Sequence, residues 1–248
     1  MTQLEIQGIV FDVDGVLFDT ERLTHQTWKA VSREMGWPQV GEAYLEFVGQ
    51  NRTDIFRKMV ELFGEEFPKE TFMKVCSAYS QARMEREGVP MKPGVREILA
   101  FLKERGIPTA LATSTGRPRT ERRMEMTGLG PYFSAIITGD QVEHSKPDPE
   151  IYLLACQALG TDPEHTIAVE DSRNGILSAS RAGMQVIMVP DMIPPTPELE
   201  SLLFRRCGDL LEVRVGILWQ ISPTVFYEVV LLLQVTGENY YSYKINKT

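Results

Sequence analysis

The chain has 248 residues, 43% hydrophobic and 24% charged, enough to bury a full core in one large domain or in one domain with an insert. Its 26 lysines and arginines against 34 acids leave a formal net charge of -8, which argues against a nucleic-acid or anionic-membrane surface and points to small diffusible partners. No export signal is read near the N-terminus, and Cys76, Cys156 and Cys207 suit neither a disulfide framework nor a zinc site, so a cytoplasmic protein with reduced thiols is expected.

The first predicted element starts near Glu5 and runs through Ile9, Val10 and Phe11 without polar alternation, the pattern of a parallel strand buried on both faces. It ends in Asp12-Val13-Asp14-Gly15, two acids and a glycine that lets the backbone turn. A helix is predicted over 21–35, with Asp19 and Thr20 as its cap and Gly36 as its stop. Apolar faces over 45–48, 55–63 and 72–87 are helical too, and no buried strand interrupts them. An all-helical block placed directly after the first strand reads as a small lid over the edge where Asp12 sits.

Alternation is regular from there. Pro93-Gly94 opens a helix that stops at Gly106, followed by a strand over 108–113, a helix over 119–127 and a short strand over 135–138. Asp148 is placed as the cap of a helix over 149–159, with Pro149 first inside it and Gly160 beyond its end. A strand over 166–170, a helix to about 181 and a strand over 185–189 complete five strands with crossover helices. The expected fold is α/β, a doubly wound Rossmann-like parallel sheet over 1–19 and 89–213, with a helical cap over 20–88.

Chemistry-bearing residues gather at the C-terminal ends of these strands. Thr113-Ser114-Thr115-Gly116 offers hydroxyls and backbone donors to an oxyanion, Lys146 precedes Pro147-Asp148-Pro149, and Glu170-Asp171 closes the fourth strand. Asp12, Asp14, Glu170 and Asp171 at one sheet edge would repel by ~4 kcal/mol per pair at ~4 Å and an effective dielectric of 20. A hard divalent cation with oxygen ligands relieves that repulsion, and Mg2+ is the usual choice beside a phosphate. Lys146 adds a positive charge, so the site suits a dianion.

A hydroxyl, a lysine and two acid pairs at strand ends, in this order, resemble the haloacid dehalogenase superfamily of phosphoryl-transfer enzymes over about residues 5 to 213. The resemblance implies that Asp12 is the nucleophile forming an aspartyl-phosphate, Asp14 the general acid and base, Thr113 the phosphate-binding hydroxyl and Lys146 the residue that steadies nucleophile and phosphate. It implies Mg2+ held by Asp12, the Asp14 carbonyl and Asp171, with Glu170 ligating directly or through water. Gly15 and Ser114 join the substrate-binding set. Gly49-Gln50-Asn51-Arg52 resembles the cap loop whose arginine reaches the substrate. Taken singly, Ser114 is a helix-capping hydroxyl, Arg52 a surface charge, and Arg117, Arg119, Arg122 and Arg123 a solvated helix face.

Within the family, β-phosphoglucomutases carry a histidine five residues after the aspartate of Asp-Thr. Here that place holds Thr24, and His25 is turned away by ~100° on a helix. Hydrolysis of a small phosphorylated metabolite, a sugar or polyol phosphate, is therefore expected ahead of phosphohexomutase activity. A phospho-receiver or a non-catalytic sugar-phosphate binder is more remote. A monomer is expected, with self-association left open through 214–248, an apolar tail outside the family pattern whose stretch 215–235 reads as strand-like rather than membrane-spanning.

Overall fold

The computed structural model describes residues 5–50 and 52–221. Its first strand, β1 (Gly8–Phe11), is buried at every position, as a Gly-Ile-Val-Phe run with no polar side chain requires. The other strands are β2 (Thr109–Thr113), β3 (Ala135–Thr138), β4 (Thr166–Glu170), β5 (Gln185–Met188) and β6 (Arg205–Arg206). They form one parallel sheet of order β3-β2-β1-β4-β5-β6, so β1 lies between β2 and β4. Phe11 stands level with Leu111 and Val169, which brings the residue after it, Asp12, beside the ends of both neighbouring strands.

Pleating sends alternate side chains to opposite layers. Ile9, Phe11, Leu111, Ile167 and Val169 pack with Val95, Ile98 and Leu102 of α5 (Val95–Glu104) and with Val213 and Ile217 of the helix Leu210–Ile221. Val10, Ala110, Ala112 and Ala168 face Tyr152 and Ala155 of α7 (Glu150–Leu159) and Ile176 and Ala179 of α8 (Arg173–Arg181). Small residues on this second face let Tyr152 reach the sheet.

Between β1 and α5 stand α1 (Thr20–Glu34), α2 (Pro38–Glu42), α3 (Arg52–Phe63) and α4 (Lys69–Glu87). They bury a cluster of their own, in which Trp28 is surrounded by Tyr44, Phe47 and Phe72 at ring-centre distances of 5.1 to 5.3 Å. The chain enters and leaves this block side by side, with Asp19 N donating to Pro90 O at 2.8 Å and Lys92 N to Leu17 O at 2.9 Å.

The remaining helices are α6 (Arg117–Thr127), α9 (Pro197–Glu200) and α10, the Leu210–Ile221 helix already met. Several expectations are corrected. A sixth strand of two residues joins the sheet, too short for any pattern to announce. Asp19 makes no side-chain cap on α1, and the Thr20 hydroxyl turns instead to Asp14. Helix α7 starts one residue later than the proline suggests, with Asp148 Oδ1 accepting from Glu150 N at 3.0 Å. The strand-like reading of 215–235 fails as far as 221, because Val213 and Ile217 of α10 complete the first core layer; its remainder lies outside the described residues. No helix among the described residues is long and apolar enough to cross a membrane.

Candidate active site

Lys146 is the knot of the site. Its buried ammonium donates to Asp12 Oδ1 at 2.6 Å, Glu170 Oε1 at 2.7 Å and Ala112 O at 3.0 Å, so one charge ties together the tips of β1, β2 and β4. Burial works against that charge, but Asp12 and Glu170 outweigh it and hold the amine above its ordinary range. Burial also raises the Asp12 carboxyl to about 7 against the pull of Lys146.

Glu170 has neither oxygen to spare. Oε1 accepts from Lys146 and from Tyr152 Oη at 2.7 Å, while Oε2 accepts from Asp171 N, Ser172 N and Ser172 Oγ at 3.0 to 3.1 Å. Burial alone would raise its carboxyl, yet Lys146 and these donors bring it below the usual value. A side chain at Gly175 would place Cβ 1.7 Å from Glu170 Oε1, so α8 presses on this carboxylate as only glycine permits. As a direct metal ligand Glu170 would have to give up existing bonds.

Asp14 points elsewhere. Oδ1 accepts from Thr20 Oγ1 at 2.5 Å and from Arg123 Nη1 at 2.6 Å, and Oδ2 from Thr115 Oγ1 at 2.7 Å. Burial favours its neutral form, but Arg123 and the two hydroxyls more than offset this and keep the carboxyl below the ordinary range. Arg123, on α6, has a side chain only 12% exposed, so the solvated-face reading fails for it. It holds for Arg119, which lies exposed while donating to Ser77 of α4, and Arg117, with a side chain 38% exposed, donates to Ile136 O at 2.9 Å. Arg122 lies exposed too.

Asp171 completes the acids, and among the described residues no donor reaches its carboxylate. Burial and the charges of Glu170 and Asp12 push it well above the ordinary carboxylate range. It packs on Gly15, whose φ of +86° and lack of a side chain both matter, since a Cβ there would fall 2.1 Å from Asp171 Oδ2. An acid that no donor reaches, pressed by Glu170 and Asp12 and facing open space, fits a cation, and a hard one by its oxygen donors.

These groups open on a cavity of about 530 Å3 lined by Asp12, Asp14, Thr113, Ser114, Lys146 and Asp171 on the sheet side and by Gly49, Gln50 and Arg52 on the helical side. Asn174 Nδ2 donates to Gly49 O at 2.8 Å and so joins α8 to that helical loop. Arg52 is exposed and stacks over Phe56 with 5.1 Å to the ring centre. Asn51 lies outside the described residues. Thr113 is buried and its hydroxyl accepts from Thr115 N at 3.1 Å, while Ser114 is exposed at the rim.

Thr24 lines the cavity, its hydroxyl donating back to Thr20 O at 2.8 Å, whereas His25 stacks on Tyr44 with ring centres 4.9 Å apart. Glu21 also faces the cavity, accepts from Tyr44 Oη at 2.5 Å and is raised by burial to about 7. Arg123, Tyr152, Glu21 and Asn174 are absent from the sequence-derived set. Only Arg123 left a trace there, as one of four arginines in seven residues.

The profile of a family described as haloacid dehalogenase-like hydrolase matches residues 9–189. The phosphorylated carbohydrates phosphatase of Thermotoga maritima is 35% identical over 182 residues, covering 73% of this chain and 84% of the relative. Hexitol phosphatase A of Escherichia coli is 31% identical over 203 residues, covering 81% and 91%. Among solved structures, CbbY from Rhodobacter sphaeroides in complex with xylulose-(1,5)bisphosphate superposes with a TM-score of 0.71 at 28% identity, covering 84% of this chain and 96% of that one.

Proposed function

From the premise that this chain belongs to the haloacid dehalogenase-like hydrolase family, we propose that it is a phosphatase that hydrolyses a small phosphorylated metabolite, a sugar or polyol phosphate, through an aspartyl-phosphate. The observation that carries the reading is the Lys146 ammonium, which fixes Asp12 at the strand tip while Asp14 faces the same cavity on separate partners.

In this reading Asp12 attacks phosphorus and the bond to the leaving oxygen breaks. The protonated form of Asp14, a minor species while Arg123 holds its carboxyl below the ordinary range, delivers the proton that oxygen needs. Asp14 then takes a proton from a water that attacks the aspartyl-phosphate and frees inorganic phosphate. Lys146 aims Asp12 and balances phosphoryl charge; Thr113, Ser114 and nearby backbone amides hold the phosphoryl oxygens. Glu170 acts as a positioning residue through Lys146 and Tyr152. Arg52 and the Gly49 loop face the leaving group, and residues 20–88 form the cap that sets substrate choice.

Mg2+ fits the donor set, with Asp12, Asp171 and the Asp14 carbonyl as its holders. When bound it supplies positive charge beside the nucleophile and the phosphoryl oxygens. A cytoplasmic location agrees with three buried cysteines that stay unpaired. Phosphohexomutase activity stands second, since Thr24 and not a histidine faces the cavity.

The test is turnover of p-nitrophenyl phosphate with Mg2+. Release by the wild-type protein and none above background by Asp12→Asn supports the reading; equal release by both refutes it.

A further inference from the structure

Beside the cavity that holds Asp12 lies another of about 170 Å3, open to solvent and lined by α1, α4 and α6, with Trp28, Met73, Cys76, Met84 and Met126 as its apolar part. Thr24 and Arg123 line both cavities, so the two are neighbours across those side chains. Arg119, Arg122 and Arg123 form its α6 wall, with Ser77 and Ser80 of α4 opposite. No aspartate or glutamate lines it, in a chain where acids outnumber bases 34 to 26.

Little of that positive charge is neutralised within the cavity. Arg119 donates to the uncharged Ser77 hydroxyl, and Arg122 meets Glu125 only at 3.5 Å on the exposed surface. Arg123 is paired at 2.6 Å, but with Asp14, which belongs to the first cavity. Three guanidinium groups along one wall of a space with room for more than a single phosphate or carboxylate group offer donors to an anion.

The orientation follows from the phosphatase reading, on which this inference rests. Asp14 protonates the leaving oxygen, so the first carbon of the leaving group lies next to Asp14 and therefore next to Arg123. The rest of that group continues toward Thr24 and the arginine wall. We propose that this cavity is a subsite for a second anionic group, phosphate or carboxylate, carried on the leaving-group side of the substrate. The enzyme then prefers small phosphate esters with such a group over the same esters with a neutral end.

Three open-chain esters that differ only at C1 test this: glucitol 6-phosphate, 6-phosphogluconate and glucitol 1,6-bisphosphate, each with the Mg2+-loaded full chain. The wild type should turn over one or both of the latter with kcat/KM ~10-fold above that of glucitol 6-phosphate, chiefly through KM, and high salt should shrink the gap. Preference for the bisphosphate alone assigns a phosphate, and preference for the gluconate alone a carboxylate. In Arg119→Gln/Arg122→Gln the preference should vanish, and in Arg119→Lys/Arg122→Lys part of it should return. Glucitol 6-phosphate serving as well as the others, or the glutamine variant losing all three in parallel, overturns the subsite.

Calorimetric binding of the same esters to Asp12→Asn separates this from the parent reading. If nothing is hydrolysed, the phosphatase reading falls while the subsite stands on a retained preference in binding. Equal binding of all three, or of none, overturns the subsite by itself.

Discussion

Arg123 Nη1 lies 2.6 Å from Asp14 Oδ1, an ion pair between the middle of α6 and the residue two places beyond the proposed nucleophile. A guanidinium at this distance sets the charge state of the proposed acid and base, because it favours the carboxylate over the carboxylic acid.

Arg123→Gln should therefore move the acidic limb of the pH profile of kcat to higher pH. Asp14 is held below the ordinary range in the folded protein, so it remains ionised until the pH falls through that depressed value, and loss of Arg123 brings the transition up. A fall in kcat of ~10-fold at neutral pH accompanies it. A pH series with p-nitrophenyl phosphate checks both, and an unmoved limb counts against the pair's role.

Lys146→Met leaves Asp12 and Glu170 buried without their shared cation. Breaking a buried pair in this way costs ~3 to 5 kcal/mol, and urea unfolding measures it. Adding Glu170→Gln to Lys146→Met should recover part of the loss, the sign that the damage is uncompensated charge and not lost packing.

Chelated protein should be less stable at pH 8 than at pH 6. Asp12 and Asp171 are both acids with raised folded values, so each contributes stability at low pH that is lost as the pH rises through about 7 for Asp12. Mg2+ should reverse this, raising the melting temperature more at pH 8 than at pH 6. Asp171→Asn should abolish the Mg2+-dependent rise and stabilise the chelated protein at pH 8.

Much of this arrangement is legible from residues alone, and the exceptions have physical causes. Asp12 and Glu170-Asp171 stand out because charged residues at the ends of unbroken apolar runs need a reason to be there, Lys146 because Pro147 and Pro149 restrict the backbone that carries it, and strand order then brings them together. Arg123 does not stand out, since four arginines near one another on a helix look solvated until the partner face is known, and Asp14 is 109 residues away. Tyr152 sits in an apolar helix and reads as core until its hydroxyl is seen against Glu170. The end of the core is misjudged because Leu210–Ile221 is rich in apolar and β-branched residues that fit a strand equally well, and its packing against α5 favours the helix.

Val213 and Ile217 are only 0% and 1% exposed, so a chain ending after Leu211 should lose stability. Ile217→Ala in the full chain should cost ~2 to 5 kcal/mol, with the activity of the folded fraction unchanged. Denaturant midpoints read this directly, and a midpoint equal to wild type would place α10 outside the core.

The account turns on Asp12 carrying the phosphoryl group, and rapid acid quenching of Asp14→Asn during turnover of p-nitrophenyl phosphate, followed by peptide mass spectrometry, addresses it most directly. With Asp14 unable to activate water, phosphoryl should accumulate on the peptide containing Asp12 and be missing from that of Asp12→Asn. No covalent phosphoryl, or phosphoryl on another residue, would contradict it.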